Sequence, residues 1–309
     1  MYRKSNLLFL MNQTPMHAGS GDSLGIIDMP IQRERHTSFP KIEASSLKGS
    51  IREHFERAKG EKDKELLAAF GTEGENGKGS RAGALGFTDA RLLLFPVKSM
   101  KGIFAWVTCP KIISVFNEEL KLAGYNVQFD VTANTVATGN NLALNSNKIV
   151  LEEYTFEVNH VTGDKNSVND FGEWLSLNLL KGNGYFAEKL MTDIVVLSDD
   201  DFKDFVNLST EVLTRTKIDN ETGTVADGAL FTEEYLPAEA LMYTNVLTAA
   251  EFATADDKQA AKQFNTEGDL RKYFSEFISE DNVFQIGGNA TLGKGIVKAK
   301  FVEPNNGGN

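Results

Sequence analysis

The apolar residues of this chain change period several times. Residues 5–11 read as a buried strand, with a continuous apolar run over 7–11. Residues 45–59 then place Leu47, Ile51, Phe55 and Ala58 at intervals of four and three, the core face of a helix. The same switch recurs downstream. Strands are predicted over 85–97 and 102–108, and a helix over 111–123 with Pro110 at its first position. Ile112, Val115, Phe116 and Leu120 face inward on that helix. Near the end, a helix over 257–278 carries Phe264, Leu270, Phe274, Phe277 and Ile278, and a strand returns over 295–302. A sheet with apolar faces must be covered by such helices. The predicted class is therefore α+β, a split β-α-β core with insertions, without repeats of solenoid period.

At 309 residues and 41% hydrophobic, the chain can bury a large core as one elaborated domain or two. Its net charge of −11 argues against a nucleic-acid binder taken whole. The charge is uneven, however: residues 1–60 carry a net +3, leaving −14 on the remainder. A basic face on an acidic body is compatible with that split. The single cysteine, Cys109, excludes an intrachain disulfide and a Cys-rich zinc site, which suits a reducing cytoplasm. Cys109 and Trp106 read as core residues. The four histidines show no metal-ligand spacing. The apolar part of the N-terminal segment, residues 7–11, is too short for an export signal, and no later run approaches a membrane span.

Residues 14–52 concentrate the chemistry. A Gly/Ser loop, His17-Ala18-Gly19-Ser20-Gly21, follows the first strand and can bring backbone N–H groups to phosphates. Asp28 lies in a surface loop bounded by Gly25 and Pro30, just before Arg33, Arg35, Lys41, Lys48 and Arg52. Ser45 or Ser46 is the expected N-cap of the following helix, whose first turns carry Lys48 and Arg52 where amides and the helix dipole favour anions. A lone carboxylate among phosphate-binding groups suggests an RNA-handling site. His17 is a candidate phosphate contact or proton donor, and Glu233 and Tyr235 are candidate partners for Asp28. Gly288 to Lys294 matches G-x-x-x-x-G-K, but Gly295 stands where a nucleotide-binding loop needs Ser or Thr, and a strand follows instead of a helix. That loop, with Gly287, Gly288, Asn289 and Lys294, suits a phosphate backbone or a wide turn.

Residues 211–218 alternate in polarity, residues 219–223 are strong turn formers, and 224–231 can return as the second arm of a hairpin. Its tip has few large apolar residues and it cannot bury both faces, so it is expected to project. The glycine-rich 71–86 segment reads as a surface loop, and 124–150 as irregular strands.

These motifs, in order, resemble the backbone subunit of type III-B CRISPR–Cas effector complexes, in the RAMP superfamily. The resemblance rests on T-P-x-H-x-G-S-G from Thr14, G-x-I-D-x-P-I-Q-R-E from Gly25 and F-P-x-I-x-x-S-S-L-K-G from Phe39. It continues through D-A-R-L-L-L-F-P-V-K-S and G-x-F-A-W-V-T-C-P, G-A-L-F-x-E-E-Y-L-P from Gly228, and I-G-G-N-x-T-x-G-K-G from Ile286. It implies a single domain with a ferredoxin-like (RRM-like) palm, a helical insertion and a projecting β-hairpin thumb, here about 209–232. It also implies an endoribonuclease that polymerises along a CRISPR guide RNA with further copies of itself and other type III-B effector subunits. A single-stranded target RNA is then cut at regular intervals, with Asp28 and a divalent metal ion (Mg or Mn). His17, Lys48, Glu233 and Tyr235 fall on the family's site motifs. The alternative is a non-catalytic scaffold that only grips the guide.

Overall fold

The computed structural model describes residues 4–304 apart from 24, 73–79, 146, 162–166, 220 and 253–261. The first apolar run is strand β1 (Lys4–Asn12), and Leu7, Phe9 and Leu10 are all buried because both faces of the strand are covered. Helix α1 (Ala44–Lys59) follows, then β2 (Ala90–Lys98) and β3 (Phe104–Thr108). Next come α2 (Pro110–Leu122), α3 (Val168–Leu180), β4 (Ile194–Val196) and α4 (Asp199–Leu208). The chain then forms β5 (Glu211–Ile218), β6 (Val225–Tyr235) and β7 (Leu241–Thr248). It ends with α5 (Glu267–Glu280), β8 (Val283–Gln285) and β9 (Ile296–Val302).

A large mixed sheet organises the molecule, in the order β4-β3-β2-β7-β1-β9-β8. β1 lies antiparallel to both β7 (Leu8 opposite Thr244) and β9 (Leu8 opposite Phe301), and β7 lies antiparallel to β2. β1 and β2 therefore point the same way with β7 between them, and α1 connects them. α5 makes the corresponding connection from β7 to β9. Only β3 and β4 run parallel along this path.

Strand alternation sends neighbouring β1 residues to opposite layers. On one side α1 and α5 meet, with Phe55 stacked on Phe277 at 3.7 Å and Phe274 against Phe301 at 5.5 Å. On the other, Phe9 and Tyr243 pack with Phe116 of α2 at 6.1 and 4.9 Å, and Trp174 of α3 joins them. One hydrophobic cluster runs from Leu7 to Val302. Trp106 and Cys109 are buried as expected, and burial pushes the Cys109 thiol up to about 12. Among the described residues no helix is long and apolar enough to cross a membrane.

Several boundaries differ from the sequence reading. The strand expected over 85–97 is two pieces, Leu85–Phe87 and β2, each paired with β7. The last helix begins at Glu267, where Thr266 and Asp269 form a capping box; residues 257–261 of the expected helix lie outside the described residues. Ala58 is exposed, so the core face of α1 is Leu47, Ile51 and Phe55. The N-cap of α1 is Glu43, and neither Ser45 nor Ser46 caps it. Its first amides are taken from outside: Glu43 N–H donates to Gln32 Oε1 at 2.7 Å and Ala44 N–H to Asp89 Oδ1 at 2.9 Å. Residues 73–79 of the glycine-rich segment and the tail 305–309 also lie outside the described residues.

β5 and β6 form their own antiparallel two-stranded sheet. Asp219 Oδ1 accepts from the Glu221 and Thr222 amides, and Gly223 takes φ +68°, the left-handed backbone its turn needs. Val212, Ile218, Val225 and Leu230 are exposed along the arms. The return arm continues past Phe231 to Tyr235, further than the sequence reading took it. That extension places the E-E-Y run on a strand.

Candidate active site and RNA interface

Alternation along β6 sorts its last residues. Thr232 and Glu234 point to one side, Glu233 and Tyr235 to the other. Each side holds a distinct set of partners.

On the first side lies the loop that carries Asp28. It is attached to the edge of β6 by main-chain bonds, Met29 N–H to Thr232 O and Glu234 N–H to Met29 O, both 3.0 Å. Asp28 itself is exposed. Its Oδ2 accepts from the Thr232 N–H at 2.7 Å and from the Thr232 hydroxyl at 2.8 Å. Those two bonds, the amide first, hold its carboxyl below the usual aspartate range. Beside it, the buried Glu234 carboxylate accepts from Arg33 at 2.5 Å, Thr210 at 2.7 Å and the Ile31 amide at 3.0 Å.

On the second side, Tyr235 and Glu233 are buried and bonded to each other, the phenol donating to Glu233 Oε2 at 2.5 Å. Arg215 of β5 donates to the Tyr235 oxygen at 2.6 Å and to Glu233 at 3.3 Å. Asn289 of the C-terminal loop donates to Glu233 Oε1 at 2.6 Å and to the Tyr235 oxygen at 2.9 Å. Burial, then the bond to Glu233, pushes the Tyr235 phenol up, so it stays a neutral donor. Burial alone would raise Glu233; the hydrogen bonds from Tyr235 and Asn289 and the adjacent His17 and Arg215 bring it below its ordinary value. The buried His17 directs Nδ1 at the Glu234 carbonyl, 2.7 Å away, so that nitrogen carries the proton and donates. Its Nε2 stands 3.7 Å from Glu233 Oε1.

The two predicted glycine loops meet here. Gly288 N–H donates to His17 O at 2.9 Å. Gly287 has φ +84°, and a Cβ on it would fall 2.2 Å from that same carbonyl. A Cβ on Gly19 would fall 2.6 Å from His17 Nε2. Their glycines are required first for this close approach. Not all the expected phosphate donors are bare, since Ser20 N–H is bound to Pro30 O and Gly288 N–H to His17 O. Gly21, Gly287 and Gly288 are exposed, and Lys294 stands 4.9 Å over the Tyr235 ring.

The structure therefore brings His17, Glu233, Tyr235, Asn289 and Lys294 together and puts Asp28 on the opposite side of the same strand. Among the described residues no bond joins Asp28 to Glu233 or Tyr235, its expected partners. Other predicted residues are engaged in the fold. Lys48 Nζ donates to Leu85 O at 3.0 Å, and burial, then Arg52, lowers its pKa. Arg52 pairs with Glu56 at 2.7 Å, and Arg33 with Glu234 while it also donates to Ser38 O and Val206 O. Arg35 is exposed and has no protein partner among the described residues. Sequence reasoning missed Thr232, Arg215 and Glu234.

Among the described residues no three His, Cys, Asp or Glu side chains group as a metal site. Asp28 Oδ1 accepts no protein hydrogen bond there, and an exposed carboxylate with one uncommitted oxygen fits an ion that takes its remaining ligands from water and RNA phosphates.

The RAMP superfamily model matches residues 10–298. A Pyrococcus furiosus protein named CRISPR system Cmr endoribonuclease Cmr4 is 36% identical over 309 residues, covering 99% of this chain and 98% of that protein. The CRISPR system CMR subunit Cmr4 of Saccharolobus solfataricus is 25% identical, covering 95% of each. The crystal structure of oligomeric Cmr4 from Pyrococcus furiosus superposes with a TM-score of 0.69 at 31% identity, over 98% of this chain and 99% of that one.

Proposed function

This chain belongs to the RAMP superfamily, and from that membership and the geometry around β6 we propose that it is the endoribonuclease backbone subunit of a type III-B CRISPR effector. The observation that carries the reading is Asp28: a solvent-facing carboxylate with one oxygen held and one uncommitted. The β9-β1-β7-β2 order, with α1 and α5 as the connections, supports a ferredoxin-like palm. The separate β5–β6 sheet with its exposed arms supports the thumb. A 36% identical relative named an endoribonuclease and a similar structure described as oligomeric support cleavage and assembly of copies.

Each residue then has a task. The exposed Gly21 and Gly287, with Arg35, receive guide phosphates. Ser45 and Ser46 in the first turn of α1 offer further amides and hydroxyls. Asp28 Oδ1 faces the target strand and aligns the ribose 2′-hydroxyl, whose oxygen gives its proton to water and attacks the adjacent phosphorus while the 5′-oxygen of the next nucleotide leaves and takes a proton from water. A divalent ion held by Asp28 and RNA phosphates supplies positive charge for that phosphate when bound. Glu233 and Tyr235 are buried, and Arg215 and Asn289, both partly exposed, are bonded to them. They lock β6 and the C-terminal loop together, and His17 joins the two glycine loops to them.

The test uses the subunit assembled with a guide and a complementary target. Cuts should fall at regular intervals and leave 2′,3′-cyclic phosphate and 5′-hydroxyl ends. A target with one 2′-deoxy sugar at a cut position should be bound but not cut there. Cutting at the deoxy position would exclude the 2′-oxygen as nucleophile.

A further inference from the structure

Resting on the reading of Asp28 as the cleavage residue, we propose that Thr232 is its positioning residue, so that the hairpin's return arm sets the orientation of the cleaving carboxylate. The two residues are 204 positions apart and close a reciprocal set of bonds. The Thr232 hydroxyl and N–H both donate to Asp28 Oδ2, at 2.8 and 2.7 Å. The Asp28 N–H donates back to the Thr232 hydroxyl oxygen at 3.0 Å.

That hydroxyl has one proton, and the bond to Oδ2 uses it. The β-branched side chain has few rotamers, so the hydroxyl starts from a defined direction. Two donors converging on Oδ2 hold that oxygen from two directions, and no hydrogen bond to Oδ1 is made among the described residues. The loop backbone is bound to the same strand through Met29. The loop thus rides on β6, and movement of the hairpin on a target strand carries Asp28 with it.

Thr232→Val keeps the shape and the backbone N–H and removes only the hydroxyl; Thr232→Ser restores it. The experiment compares both with the unmodified protein and Asp28→Asn in the assembled complex. It measures cleavage at saturating target, target Kd, melting temperature, and hydrogen–deuterium exchange of the peptide spanning residues 25–30. We expect the Val variant to cut about tenfold more slowly while target Kd stays within about twofold, because alignment is lost and binding is not. Its melting temperature should be unchanged and exchange should rise over 25–30. The Ser variant should recover most of the rate. A Val variant that cuts at the unmodified rate while Asp28→Asn does not would overturn the role of Thr232 and leave that of Asp28 standing. Rate, affinity and melting temperature falling in step would make Thr232 a stability residue and overturn the proposal. Cutting by Asp28→Asn would remove the cleavage assignment on which it rests.

Discussion

Glu234→Gln should destabilise the protein far more than a change of one atom suggests. Glu234 is buried, its carboxylate 2.5 Å from Arg33, and it also holds Thr210 and the Ile31 amide. Glutamine keeps the volume and an acceptor for the amide but leaves the Arg33 guanidinium without a counter-charge. Removing one partner of a buried pair costs about 3–5 kcal/mol. Arg33 keeps Ser38 O, Val206 O and Asn207 Oδ1 as acceptors, and its side chain is 19% exposed, so the lower end applies, about 3 kcal/mol. For a chain of this size that lowers Tm by about 5 °C. Chemical denaturation of the single variants and of Arg33→Met/Glu234→Gln gives the coupling. The double variant should lose clearly less than the sum of the singles. A single-variant loss below about 1 kcal/mol, or additive singles, would show that water screens the pair and refute the argument.

Other outcomes follow from the same contacts. Glu233 has a folded pKa below its ordinary 4.5, so its ionised form contributes stability above that pH, and the contribution fades as pH falls through the depressed value. Acid titration of the melting temperature should show this limb, and Glu233→Gln should flatten it. Arg35→Ala should reduce the slope of log guide affinity against log salt by about one, whereas Lys48→Ala should leave the slope nearly unchanged because Lys48 already serves Leu85; equal effects of the two would contradict this. Replacing residues 219–223 by a two-residue turn should leave the melting temperature within a degree or so, because the hairpin lies outside the main sheet, while cuts lose their regular spacing. A cooperative loss of the whole fold would place the hairpin in the core.

The sheet and its covering helices were legible because apolar period and length separate 5–11 from 45–59. The meeting of the two glycine loops was not, since nothing local in residues 17–21 or 287–295 encodes their contact; the residues were named, and their reason, clearance around His17, was not. The site itself turned on one boundary. Ending the hairpin arm near Phe231 left Glu233 and Tyr235 as free partners for Asp28. Carrying the strand to Tyr235 makes alternation assign Thr232 to the Asp28 side and Glu233 and Tyr235 to the other. Thr232 and Arg215 were missed because a threonine and an arginine on a strand carry no signal until pairing supplies their neighbours. Lys48 and Arg52 read as a basic pair on a helix, and only the tertiary positions of Leu85 and Glu56 reveal what they bind.

The most direct measurement is target cleavage by complexes assembled with Asp28→Asn. The substitution sits in an exposed loop and keeps the acceptor that Thr232 needs. The account predicts complexes of unchanged size that bind target with unchanged affinity and give no ladder of regularly spaced products. A full ladder from the Asn variant would contradict it and leave a guide-binding scaffold whose target is cut by another subunit.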